Sequence, residues 1–292
     1  MHRFFRLSVT CLVAGLAMSA CKPETVITTP VTPTAGLRFI NAVPDSAGAF
    51  GLDFRAVDIV ENSSQFRVGF RNSPTTTSGV TASATVQYKP TQAGARRFVI
   101  FLDDTIQAIA STKLKDSTLA LTDGKNYTAI LWGPARTGNM KFKVFEEVIA
   151  DPGTTKVGLR VINATDSPID VRTYPTGGTL PATPTWSSVA PYSASTFVNA
   201  DTGSIGYNVQ PAGGGAQLFN DMTALLGAVA TSSAGGAGKL DIEPLPGTRV
   251  AGSAVTLVVY PRSTVGARTP QTAAFQVPAG SFIWDRRPPR GF

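Results

Sequence analysis

The chain spells the same opening twice, once as Gly36-Leu-Arg-Phe-Ile-Asn-Ala42 and again as Gly158-Leu-Arg-Val-Ile-Asn-Ala164. A weaker echo follows in the same order, Gly124-Lys-Asn-Tyr-Thr-Ala-Ile-Leu-Trp132 against Gly252-Ser-Ala-Val-Thr-Leu-Val-Val-Tyr260. The two offsets, 122 and 128 residues, far exceed the repeat unit of a solenoid. Each copy is therefore expected to carry its own core, as a duplicated domain does. A compact break, Asp151-Pro-Gly-Thr-Thr155, separates the copies.

Within each copy the apolar period is mostly two. Gln65-Phe-Arg-Val-Gly-Phe-Arg71 and Lys141-Phe-Lys-Val-Phe145 alternate strictly, which sets one face against a core and the other against water. Further strands are expected at Leu37 to Ala42, Gly51 to Val57, Ala82 to Tyr88, Arg97 to Leu102, Ile106 to Ala110, Thr118 to Leu121 and Tyr127 to Trp132. Asn72-Ser-Pro74, Asp103-Asp104 and Asp123-Gly-Lys125 supply turns between them. In the second copy, Gln217 to Ala230 suits either a short helix or a buried strand, and Ser232 to Lys239 reads as a loop. Many short strands with close turn punctuation predict an all-β chain of two tandem immunoglobulin-like β-sandwich domains, residues 36–150 and 156–283, with 151–155 as linker and 284–292 as a basic tail.

The start of the chain is an address. Arg3 and Arg6 precede an apolar run from Leu7 to Met18, too short for a permanent span and followed by small residues, the pattern of a secretory signal over residues 1–20. Met18-Ser-Ala-Cys21 resembles the bacterial lipobox, in which the cysteine thiol is lipidated before cleavage on its N-terminal side. Cys21 is the expected lipid attachment site, since the other cysteine, Cys11, lies in the removed run. Lys22 stands where inner-membrane retention commonly uses Asp, so the expected location is the bacterial cell envelope, lipid-anchored at the outer membrane. Residues 21–35, rich in Thr and Pro, cannot bury enough surface to fold and read as a tether.

The opening strand Leu-Arg-Val-Ile-Asn-Ala, a following Asp-Ser-Pro-Ile-Asp-Val and a later Gly-x-x-Tyr-Thr-aliphatic strand resemble the bacterial domain-of-unknown-function family 4397. Arg38, Asn41, Ala42, Pro44 and Asp45 carry the resemblance in the first copy, and Arg160, Asn163, Ala164, Pro168, Asp170 and Val171 in the second. It implies a β-sandwich, often duplicated and often lipid-anchored outside the cytoplasm, and it implies no activity.

The chemistry is bounded by subtraction. The one histidine, His2, and Cys11 leave with the signal, and Cys21 is acylated. A mature chain of this kind has no Ser-His-Asp or Cys-His catalysis, no His- or Cys-ligated metal and no disulfide. Ser-Ala-Gly-Gly-Ala-Gly-Lys-Leu240 lacks the first glycine and the final Ser/Thr of a phosphate loop. Glu146-Glu147 and Asp103-Asp104 point to opposite faces of a strand, and Asp241-Ile-Glu243 supplies too few oxygens for calcium by itself. Removing Arg3 and Arg6 lowers the formal charge from +7 to +5, and the remaining cations are scattered, so no nucleic-acid partner is expected. No catalytic residue, cofactor or metal is assigned. The expectation is a non-catalytic envelope protein that presents two sandwiches for binding, adhesion or spacing, held to the membrane by lipid and facing an envelope protein or glycan. The alternative is a carbohydrate-binding or glycan-processing surface built from carboxylates and from Trp132, Trp186, Tyr192, Phe197 and Trp284, were those aromatics exposed together.

Overall fold

The computed structural model describes residues 31–45, 51–58, 66–72, 86–230 and 243–289, and residues 34–292 form one compact unit. The sequence-predicted sites Cys21 and Asp241, the signal and the loop at 232–239 lie outside the described residues. No described helix is long and apolar enough to cross a membrane.

The chain is all-β and arranged as two β-sandwiches. In the first half one sheet runs in the order β4-β1-β7-β8, made of Lys89–Gln92, Thr34–Ala42, Asn126–Trp132 and Lys141–Glu146. Its companion runs β3-β2-β5-β6, made of Phe66–Val68, Gly51–Ala56, Gly94–Asp103 and Lys113–Leu121. The second half repeats the plan. β9 (Lys156–Asn163), β16 (Ala254–Tyr260) and β17 (Ala279–Arg286) form one sheet, with β12 (Ser193–Ala194) and β13 (Val198–Asp201) along the free side of β9. β11 (Trp186–Val189), β10 (Ile169–Pro175), β14 (Ile205–Pro211) and β15 (Met222–Thr223) form the other. The duplicated text now has a topological meaning: β1 pairs in parallel with β7, and β9 in parallel with β16.

That parallel pairing brings backbones close, which explains the repeated glycine. A Cβ at Gly36 would sit 2.1 Å from Asn126 Oδ1, and one at Gly158 would sit 3.3 Å from the Ala254 Cβ. The two asparagines that close the repeated motif are also accounted for. Asn41 and Asn163 are fully buried, accept Val43 N–H at 3.1 Å and Thr165 N–H at 2.9 Å, and donate to Val68 O and to Val189 O. Each amide shapes the chain as it leaves its strand.

Three apolar layers hold the unit together. Leu37, Phe39, Leu52, Phe54, Phe98 and Leu131 fill the first sandwich; Leu159, Val161, Val171, Tyr207, Leu257 and Phe282 fill the second. The third layer, Ile40, Ala42, Ile130, Trp132, Ile162, Ala164, Val258, Tyr260 and Ile283, lies between the halves. The inner sheets are therefore covered on both faces, which is why β7 and β16 read as largely apolar runs, broken by Thr128 and Thr256, and not as strict alternation.

Local structure departs from expectation in five places. Ile106 to Ala110, expected as a strand, forms one helical turn, α1 (Gln107–Ala110), because Asp104 accepts Ile106 N–H at 2.9 Å and starts a turn. Of the strand expected at Ala82 to Tyr88, residues 82–85 lie outside the described residues; 86–88 are irregular, and β4 begins at Lys89. Gln217 to Ala230 is neither helix nor buried strand; it contributes only the two-residue β15 and a bridge at Ala228. β17 continues through Trp284 and Asp285 to Arg286, so it takes in the first three residues of the segment read as a basic tail.

The strict alternation expected at Gln65 to Arg71 stops after Val68, and Arg71 takes a left-handed conformation with φ of 60°. This turn sends the Arg71 side chain, fully buried, into the second half. Its guanidinium donates to Pro261 O at 2.7 Å, Phe275 O at 3.1 Å, Ala274 O at 3.2 Å and Val277 O, with Phe70 and Phe275 against it. Loss of hydration on burial lowers its pKa to about 10. Arg71→Ala is expected to cost about 3 kcal/mol by stranding these carbonyls. The β16–β17 connection should then exchange amide hydrogens faster, as hydrogen-exchange mass spectrometry over 261–278 would reveal.

Candidate functional site

Among the described residues, a dense cluster of buried charge lies between the halves. Arg38 from β1 and Arg160 from β9 project away from the sandwich cores into the shared layer, because they alternate with Leu37, Phe39, Leu159 and Val161. They meet Glu147, just past β8, and Asp285 from β17. All four side chains are at most 7% exposed.

The set is matched across the halves. Arg38 Nε donates to Thr128 Oγ1 at 2.8 Å, and Thr128 donates to Glu147 at 2.5 Å. Arg160 Nε donates to Thr256 Oγ1 at 2.9 Å, and Thr256 donates to Asp285 at 2.5 Å. Across the joint, Arg38 donates to Asp285 at 2.5 Å, and Arg160 donates to Glu147 at 2.7 and 3.1 Å. Each carboxylate is thus held by the threonine of its own half and by both arginines, since Arg160 also donates to Asp285 at 2.9 Å and Arg38 to Glu147 at 3.4 Å. Even the aromatic backing is repeated, with the Arg38 guanidinium 4.3 Å from the Tyr88 ring centroid and that of Arg160 4.5 Å from the Phe197 ring centroid. This is the self-complementary logic of a two-fold homodimer interface, drawn within one chain.

Electrostatics follow from the pairing. Burial alone would lower the Arg38 and Arg160 pKa values, but Asp285 and Glu147 raise both above the ordinary arginine value. Burial alone would raise Glu147, yet the hydrogen bond and charge of Arg160, with Arg38 and Thr128, hold it below the ordinary carboxylate range. Two cations and two anions cancel, so the cluster is a neutral clasp. Glu146 points the other way, is exposed, and lies 3.4 Å from Lys125.

The remaining carboxylates of the repeated motifs serve backbone. Asp45 accepts Ala135 N–H at 2.7 Å and Arg136 N–H at 3.0 Å, and Asp170 accepts Ser188 N–H at 2.7 Å and Gly213 N–H at 3.2 Å. Among the described residues, no group of three His, Cys, Asp or Glu side chains is placed to hold a metal.

The open site is a cleft of about 660 Å³ where the carboxyl ends of β1, β7, β9 and β16 meet. Pro44 and Pro134 come from the first half; Asp166, Tyr192, Arg262 and Val265 come from the second. Loop 261–278 crosses to the first half to frame it, with Thr264 N–H and Thr269 Oγ1 each donating to Pro44 O at 2.8 Å. Tyr192 has φ of 53°, a conformation rare for an aromatic residue, and its ring lies 5.7 Å from Trp132 and 4.7 Å from the Lys141 ammonium. Burial and Asp166 raise its pKa. Asp166 and Arg262 make no ion pair among the described residues, so the rim offers one charge of each sign above apolar walls.

Of the five aromatics singled out in the sequence, Trp132 and Trp186 are buried, at 1% and 7% exposure. Phe197 backs Arg160, Trp284 packs on Tyr88, and Tyr192 lines the cleft. They do not form one face. Sequence reasoning named Arg38 and Arg160 only as motif residues; an arginine recurring inside an otherwise apolar strand was the signal for the clasp.

The fold and its clasp define a duplicated, fused double sandwich with a cleft between loops of both halves. Residues 35–172 match the family described as Domain of unknown function (DUF4397). The match covers the whole first sandwich, then β9 and the start of β10. No curated protein matches the chain.

Proposed function

We propose that this is a lipid-anchored bacterial envelope protein without catalytic activity, which presents a rigid double sandwich for binding. The observation that carries this reading is the position of the cleft. The tether joins β1 at Thr34, whereas the cleft opens beyond its far end, at Pro44. A nine-residue strand separates the two by roughly 30 Å, so the cleft faces away from the point of attachment. The clasp supports the same reading, because it fixes loops of both halves around one opening.

Two measurements test it. Wild-type protein in cells fed a labelled lipid precursor is expected to take up label, and Cys21→Ala to take up none; an unlabelled wild type would overturn the anchor. Cell adhesion to a host or envelope surface is expected to fall in a Tyr192→Ala, Arg262→Glu double variant at unchanged expression, and unchanged adhesion would overturn the cleft as the contact. The glycan reading is favoured by Tyr192, a half-buried ring in the cleft beside Lys141. A glycan array whose signal disappears with Tyr192→Ala would select it.

A further inference from the structure

The opposite end of the molecule carries a different surface. From the buried clasp a ladder of cations and rings climbs outward. The Arg38 guanidinium lies over Tyr88, the Tyr88 ring meets Trp284 edge-on at 6.4 Å and 73°, and the Arg287 guanidinium lies 4.9 Å from the Trp284 ring centroid. Trp284 is partly exposed and Arg287 exposed. Lys89, beside Tyr88, is exposed and stands in register with Leu37, three residues from the start of β1. Val148, 78% exposed, follows Glu147, whose N–H donates to Asn126 O at this same end.

The acidic side chains nearby are already engaged. Asp123 accepts Thr34 N–H at 2.8 Å, Glu146 lies 3.4 Å from Lys125, and Asp151 accepts from Arg286 at 2.7 Å. Arg287 is exposed, and the sequence continues Pro288-Pro289-Arg290. Cations flanking a tryptophan are the pattern of a surface that meets lipid headgroups, the cations on phosphates and the indole at the polar boundary.

We propose that this tether-proximal end docks on an anionic phospholipid surface through Arg287, Lys89 and Trp284. The proposal rests on the lipid-anchor reading for its effective concentration. From Cys21 to Thr34 the chain spans at most about 45 Å, so an anchored molecule meets the bilayer at an effective concentration on the order of millimolar. A contact of modest strength, measurable for the free protein at high lipid concentration, then suffices to orient the cleft outward.

The test uses the mature chain, residues 21–292 with Cys21→Ala, so that no acyl chain contributes. Its partition onto phosphatidylglycerol–phosphatidylethanolamine vesicles is measured by co-sedimentation against pure phosphatidylcholine vesicles. Binding is expected only with the anionic lipid, falling with added salt and dropping about fivefold for each of Arg287→Gln and Lys89→Gln. Neutralising Lys141 and Arg262 at the cleft end is expected to leave it unchanged. Equal partition onto both vesicles, no partition, or equal losses from the two ends would overturn the docking. None of these outcomes touches the lipid-labelling result, so the two readings fail separately.

Discussion

Glu147→Gln is expected to cost about 3–5 kcal/mol of unfolding free energy, measured by urea titration at neutral pH, because it strands Arg160 and Arg38 in a buried layer with one counter-charge too few. The glutamine keeps the volume, so packing loss adds little. The pH dependence separates charge from shape. Glu147 binds its proton less readily folded than unfolded, so its contribution is complete above the ordinary glutamate range and is lost as pH falls through its lowered folded value. Wild-type stability should therefore fall on acidification below about pH 5, and the Gln variant should fall less steeply. Replacing all four charges together by apolar residues of similar volume, with Thr128→Val and Thr256→Val, is expected to be near neutral or stabilising by about 1–4 kcal/mol. If the single and the complete replacements cost the same, the cluster is not acting as a coupled clasp.

Trp132→Ala is expected to cost about 3–5 kcal/mol, close to 10 °C in the thermal midpoint. Trp132 is the largest fully buried side chain and packs on Phe145 at 6.0 Å and Tyr192 at 5.7 Å. The cavity would open in the layer between the halves, leaving the sandwich cores intact. Calorimetry distinguishes this from damage to one core: the single transition of the wild type should split or broaden in Trp132→Ala. A single sharp transition at the lower temperature would instead mean that the halves unfold as one even with a weakened joint. Tyr192 loses its support in the same variant, so the adhesion proposed for the cleft should fall with it.

Much of this architecture was legible in the sequence. Leu37, Phe39, Leu159 and Val161 face cores, and Asn41 and Asn163 bond backbone as the chain leaves its strand, because strand period and amide chemistry act over a few residues. Ile106 to Ala110 was not legible, since an apolar run of that length carries no period and the outcome depended on one Asp104 hydrogen bond. Nor was the end of the alternation at Val68, where the positive φ of Arg71 is sustained by carbonyls some 190 residues away in the chain.

The amino-acid sequence by itself determined that the chain is duplicated and that each copy is built of strands, because repeats and alternation are local statements. Only the tertiary structure decided what the second face of each inner sheet meets. Period two says that Arg38 lies opposite Leu37 and Phe39, and water is the default on that side. Here the other copy covers it, and covering turns two surface-like arginines into buried partners of Glu147 and Asp285. The repeated Gly-Leu-Arg thus encodes two things at once: leucine for the core of its own sandwich, and arginine for the pair of carboxylates shared between the two.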